Sequence, residues 1–103
     1  MANDRKIYML NALWFKPDGG AAQYQEYLKA AGPHVEKYGG RLMHLFHPNE
    51  SLIGKFDADL LFFVEWPNQK AFDDFRVDPD FKKLSPLREA AINDSLLIRC
   101  SNV

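Results

Sequence analysis

The three histidines are the first residues to test for chemistry, because an imidazole is both a general base near neutral pH and a common metal ligand. His44 and His47 stand three apart in a stretch that reads as a strand, so they point to opposite faces. They share no metal unless a bulge intervenes. His44 has the parity of Leu42 and Phe46 and is the one able to enter an interior; His34, beside Pro33, falls within a helix. Asp57 and Asp59, with Glu50, offer carboxylates, but their spacing follows no calcium-loop pattern. Glu65 and Arg99 are charges set into otherwise apolar segments, where they need partners or solvated heads. No serine stands in a nucleophile-elbow sequence, and Gly39-Gly40 follows a helix rather than a strand, so it is no phosphate cradle. Cys100 is the single cysteine, which excludes an internal disulfide and argues against a thiolate zinc site. It reads as a small hydrophobe near a strand end. Neither a metal nor a cofactor is expected.

These residues belong to a chain of 103 residues, enough for a single domain spanning 1–103. Lys plus Arg is 13 and Asp plus Glu is 14, so the net charge is −1. Such a balance argues against a nucleic-acid partner, which calls for a polycation. The longest apolar run, Leu60 to Val64, is far short of the roughly 20 residues that span a membrane. Asn11 and Lys16 interrupt the apolar stretch after Arg5 and Lys6, and no small-residue cleavage site follows, so no signal peptide is expected. A reducing cytoplasm is the expected compartment. The unusual figure is aromatic: 8 Phe, 4 Tyr and 2 Trp. A domain this small buries only about two-thirds of its unfolded surface, which leaves little room for them in one core.

Ile7 to Phe15 reads as a first strand, closed by the turn signal Lys16-Pro17-Asp18. Asp18 is the expected cap of a helix whose apolar face carries Tyr24, Tyr27, Leu28, Ala31, Val35 and Tyr38. Pro33 predicts a kink in it, and Gly39-Gly40 ends it. Arg41 to His47 is a second strand; a polar stretch from Pro48 to Asp59 follows, with Leu52 and Ile53 extended. Leu60 to Trp66 is a third strand. Asn68 caps a short helix bearing Ala71, Phe72 and Phe75, and Asp78-Pro79 restarts it with Phe81, Leu84, Leu87 and Ala91 inward. Asn93 and Asp94 are expected to end that helix and Ser95 to Ser101 to form the last strand. The order is β-α-β-β-α-β, a ferredoxin-like α+β pattern: a four-stranded antiparallel sheet with both helices on one face.

Helices on one face should leave the other wet, with strands alternating apolar and polar. These do not alternate. Ile7, Met9, Leu13 and Phe15 oppose Tyr8, Leu10, Ala12 and Trp14, while Leu60, Phe62, Val64 and Trp66 oppose Leu61 and Phe63. Leu96 and Ile98 oppose Leu97. Something apolar must cover the second face, and the simplest cover is the same face of another copy. A two-fold homodimer is therefore expected.

Tyr24, Tyr27, Val35, Tyr38 and the turn Gly39-Gly40-Arg41, followed by Glu65-Trp66-Pro67-Asn68, Ala71-Phe72, Asp78-Pro79, Phe81 and Leu84-Ser85-Pro86-Leu87-Arg88, resemble domain-of-unknown-function family 1330. The likeness runs from about Tyr8 to Ile98 and implies the dimeric α+β barrel superfamily. Where that family usually has a glycine pair, Met43-His44-Leu45-Phe46-His47 stands here. More distantly, Trp66 stands where antibiotic-biosynthesis monooxygenases of the superfamily often place a tryptophan. Those enzymes need neither metal nor flavin, so the protein's task there is orientation and electrostatics. By that likeness Asn11 and Arg88 are the polar partners, an amide to polarise a carbonyl and a guanidinium to hold an oxyanion. Phe72, however, offers no hydroxyl. Haem-degrading relatives use a histidine on the second helix, and no histidine follows His47.

The expectation is a homodimer with a small apolar pocket between sheet and helices. It binds, and oxidises or isomerises, a small organic acid or aromatic metabolite. Asn11, Trp66 and Arg88 orient the ligand, and Tyr27, Tyr38 and His44 line the site. The alternative is a non-catalytic dimeric module whose apolar faces serve only assembly.

Overall fold

The computed structural model describes residues 5–103. The elements run β1 (Ile7–Phe15), α1 (Gly20–Lys37), β2 (Arg41–Phe46), β3 (Leu60–Trp66), α2 (Gln69–Arg76), α3 (Pro79–Lys82), α4 (Ser85–Ala91) and β4 (Ile92–Cys100). The strands form one open sheet of four in the order β2-β3-β1-β4, every neighbour antiparallel. This is the ferredoxin-like α+β architecture expected from the order of elements, with the second helical region broken into three pieces.

Local chemistry explains most boundaries. The Asn68 side chain accepts from the Ala71 N–H at 2.8 Å and starts α2. Asp78 accepts from the Asp80 and Phe81 N–H groups at 2.8 and 3.1 Å, with Pro79 in the first turn of α3. Gly39, at φ 83, takes the left-handed conformation that ends α1 and that other residues resist. Helix α1 runs through Pro33 without interruption.

Three expectations change. Gly19, not Asp18, is the N-cap of α1, and no side chain caps it; Asp18 at φ 64 and Gly19 at φ 104 turn the chain in succession and leave the carboxylate outside the helix. Strand β4 begins at Ile92, because Trp14 pairs with Asp94 and Phe15 with Ile92 across a register shift. Ladder pairing to β1 overrides the turn preference of Asn93 and Asp94. Leu52 and Ile53 sit in bends, 85% and 97% exposed, rather than extended.

The register places Asn11 between Phe62 and Leu97, and Met9 between Val64 and Arg99. Odd-numbered residues of β1 and even-numbered residues of β3 therefore share the inner face, under the helices. Ile7, Met9, Leu13, Leu60, Phe62, Val64 and Trp66 form its buried core with Tyr24, Tyr27, Phe72 and Phe75. The outer face carries Leu10, Leu61, Phe63, Leu96, Ile98 and Phe46 around a fully buried Ala12, and no described helix covers it. The loop before β3 reaches that side, where Phe56 packs edge-on against Trp14 and Asp57 accepts from the Trp14 indole at 2.9 Å. Asp59 accepts from the Phe15 N–H at 2.8 Å. Both carboxylates thus hold the loop to β1.

Candidate functional site

A cavity of about 570 Å3 lies between the inner face of the sheet and the helices, within the usual size range of small-ligand sites. Four of the six expected site residues meet in its wall: Asn11 from β1, Tyr27 from α1, Trp66 from β3 and Arg88 from α4. Tyr38 and His44 do not line it. The Tyr38 hydroxyl donates to Asp78 at 2.6 Å, and its ring packs edge-on to Phe75, so it clamps α1 to the start of α3. His44 is exposed and packs beside Phe46, because the register shifts between Leu42 and Leu45. Leu42 and Leu45 both face inward across that irregularity, against Val64 and Phe62, and simple alternation fails.

The deep end of the cavity is aromatic. Trp66 is 1% exposed, with its ring 4.7 Å from Phe75 and 5.6 Å from Phe72, the latter edge-on. Its indole N–H is buried and has no partner among the described residues. Gly40 explains how the ring fits: a Cβ there would lie 2.7 Å from Trp66 Cζ3 and 2.7 Å from Val35 Cγ1. Only a residue without a side chain lets β2 begin against the indole.

The polar end gathers Tyr24, Tyr27 and Arg88. The two tyrosine rings lie 5.4 Å apart, and Tyr27 tilts against Phe81 at 6.5 Å. Burial pushes both phenols above the ordinary tyrosine value, Tyr24 well above it; the neighbouring Tyr27 adds to the rise at Tyr24, and the Arg88 charge opposes it at both. Both therefore remain protonated donors at neutral pH. Arg88 donates to the Ser95 hydroxyl at 3.4 Å, and among the described residues no carboxylate lies at ion-pair distance from it. Asn11 donates its amide N–H to the Met9 carbonyl at 3.1 Å, which leaves its own oxygen free. At the exposed rim, Arg76 stacks its guanidinium 5.4 Å from the Phe72 ring centre, and Glu36 completes the lining.

Tyr24 was missed as a site residue because its place on the apolar face of α1 reads as core. The signal that could have found it is its spacing of three from Tyr27, which stacks both phenols on one helix face.

The charged strand residues have partners. Glu65 lies 3.6 Å from Lys6 and 3.4 Å from Arg41, and Arg99 donates to the Gln69 side chain at 2.8 Å. Among the described residues no three His, Cys, Asp or Glu side chains come together as a metal site. No described helix is long and apolar enough to cross a membrane.

Residues 18–99 match the family described as Domain of unknown function (DUF1330). The chain belongs to this family. It is similar to the RPA0582 protein of unknown function from Rhodopseudomonas palustris, at 30% identity and a TM-score of 0.89, over 97% of this chain and 84% of that one. A dimeric ferredoxin-like protein of unknown function from Jannaschia sp. CCS1 shares the fold at 17% identity and a TM-score of 0.73, covering 94% of this chain and 99% of that one. SnoaB, a cofactor-independent oxygenase from Streptomyces nogalater, does so at 12% identity and a TM-score of 0.71, over 96% and 94% of the two chains. At these identities the last two likenesses concern the fold alone. No curated protein matches the sequence.

Proposed function

We propose that this family member is a cytoplasmic homodimer that binds a small organic acid or aromatic metabolite in the cavity of each subunit. The observation that carries the reading is the cavity itself: about 570 Å3, walled by aromatic side chains and furnished at one end with Arg88, which has no acidic partner among the described residues. An apolar hollow with a few convergent polar groups is the usual makeup of a ligand site. Asn11, Tyr27, Trp66 and Arg88 orient the ligand. Homodimerisation is supported by the uncovered outer face, where Phe46, Leu96 and Ile98 are 54%, 42% and 45% exposed, and by the dimeric Jannaschia protein of the same fold.

Oxidation of the bound ligand is the chemistry that the fold shared with SnoaB, a cofactor-independent oxygenase, suggests, and isomerisation by the same orienting groups stands beside it. Binding without turnover is the second reading. It is favoured by the placement of His34, His44 and His47 outside the lining and by two wall phenols held in their neutral form. Neither leaves an obvious general base at the deep end.

A thermal-shift screen of organic acids and aromatic metabolites tests the binding reading. At least one compound should raise the melting temperature of the wild type, and Arg88→Ala and Trp66→Phe should each diminish that shift. Shifts that persist unchanged in both variants would place the ligand elsewhere. Incubating any hit with the protein in air and following it by mass spectrometry then separates turnover from binding.

A further inference from the structure

The polar groups at the polar end of the cavity are unbalanced: within the described protein they are donors with little to donate to. Arg88 offers a fork of N–H groups, of which the structure engages one, with the Ser95 hydroxyl. The hydroxyls of Tyr24 and Tyr27 make no hydrogen bond within the described protein, although both rings are buried. On the acceptor side this part of the wall offers the Asn11 oxygen, and the one carboxylate in the lining, Glu36, is exposed at the rim. Arg88 is half-buried at the wall of a largely apolar hollow with no counter-ion among the described residues, and a bound anion would supply one.

Resting on the reading of this cavity as a ligand site, we propose that Arg88, Tyr24 and Tyr27 form a seat for a carboxylate, and that the ligand is a flat aromatic monocarboxylate whose ring lies toward Trp66 and Phe72. The guanidinium presents paired N–H donors that match the two oxygens of a carboxylate. The phenols add neutral O–H donors. They can do so because burial keeps them protonated; a tyrosinate in the same place would repel the anion. Tyr24, outside the set expected from the sequence, thereby becomes a binding residue.

The same inventory selects against other ligand classes. A primary amine finds no carboxylate at the polar end. A phosphate dianion finds one guanidinium there, and no lysine and no glycine-rich loop of backbone donors. A neutral aromatic fits the walls but leaves Arg88 without its anion. A carboxylate attached directly to a ring system, or by a short link, satisfies the donors and the aromatic wall together.

Calorimetry on the intact protein with matched compounds tests this. Benzoate, 3-phenylpropionate and 2-naphthoate are compared with their primary amides and with the corresponding ring-bearing amines. The best carboxylate should bind about thirtyfold tighter than its amide, the range expected for hydrogen bonds to a charged group, and the amines should give no heat. Arg88→Gln should bring the carboxylate down to the level of the amide. Arg88→Lys should retain part of the preference. Tyr24→Phe and Tyr27→Phe should each weaken the carboxylate about fivefold and leave the amide unchanged. If carboxylate and amide bind alike, and Arg88→Gln alters neither, the carboxylate seat is overturned while the cavity remains a ligand site. If none of the compounds binds, acids, amides and amines together, both readings fall.

Discussion

The two faces of the sheet are built from the same kinds of residue and, along β1 and β3, have opposite fates; toward the edge strands the inner face opens as well, with Leu42, Leu45 and Leu97 43–51% exposed. On the inner face Met9, Leu13, Phe62, Val64 and Trp66 are all under 9% exposed beneath the helices. On the outer face Phe46, Leu96 and Ile98 stand 42–54% exposed, although side chains of this kind are ordinarily buried. The inner face also holds what the outer face lacks: Asn11 at mid-strand and, opposite it on the helices, two phenols and a guanidinium. One face is a finished core with a polar-ended hollow left in it. The other is largely apolar, with Glu65, Lys6 and Arg41 paired on it, and no described helix covers it. A strand of period two has to serve both, which is why its residues do not alternate in polarity.

If the inner face is the finished one, its central side chain should matter most to stability. Trp66→Ala removes a fully buried indole packed on Phe72 and Phe75, and should cost about 3–5 kcal/mol in urea unfolding at fixed protein concentration. A loss below about 1 kcal/mol would mean that the cavity lining is not core. The outer face should respond in assembly instead. Ile98→Asp puts a charge where a second copy is expected to pack, and should weaken the dimer at least about a hundredfold, some 2.7 kcal/mol. Sedimentation equilibrium would then find folded monomer at concentrations where the wild type is expected to be dimeric. An unaltered association constant would remove the outer face from the interface.

How much of this contrast was legible in the sequence depended on how local its causes are. The caps at Asn68 and Asp78 and the stop at Gly39 depend on side chains or backbone within a few residues, and pattern alone locates them. The two-faced strands were equally plain, since parity needs no knowledge of partners. What failed needed the third dimension. His44 was assigned inward by parity, and a register shift against β3 undid the parity. Tyr38 looked like a pocket phenol until Asp78, 40 residues away, took its hydroxyl. Tyr24 looked like core because a helix face does not reveal where a core stops and a cavity begins. Asn93 and Asp94 read as helix breakers, yet pairing with β1 drew them into a strand. The site was thus legible as a set of residue types on one face, and illegible as a set of contacts.

Gly40→Ala sharpens the comparison at the point where the inner face is tightest. The added methyl meets the Trp66 ring and Val35, each at 2.7 Å, and must displace both or shift the start of β2. Overpacking of this kind should cost about 1–3 kcal/mol and shift the near-ultraviolet circular dichroism of the indole. The corresponding size change on the outer face, Leu96→Phe at a position 42% exposed, lies under no described helix. It should act on assembly more than on the near-ultraviolet signal of Trp66. Equal indole perturbation by both would erase the distinction between the faces.

The smallest expected effect is also the most specific, because only the helix layer over the inner face carries it. The Tyr38 hydroxyl, more than any other contact, holds the Asp78 carboxyl well below the usual carboxylate range; the Phe81 N–H, Lys37 and the Asp80 N–H act in the same direction. A carboxyl whose folded pKa is depressed binds fewer protons in the native state than in the unfolded one at acidic pH. Its stabilisation is complete above the ordinary carboxylate pKa and is lost as pH falls toward the folded value. Wild type should therefore lose melting temperature more steeply than Asp78→Asn between about pH 5 and pH 2, and the two curves should draw together at the acid end. Tyr38→Phe should flatten the wild-type slope in part, since it removes the largest contributor but leaves the backbone donors in place. Parallel curves for wild type and Asp78→Asn would show that the clamp between α1 and α3 adds no acid-sensitive stability. The helix layer would then be held over the cavity by aromatic packing alone, through contacts such as Phe75 with Phe81 at 4.1 Å.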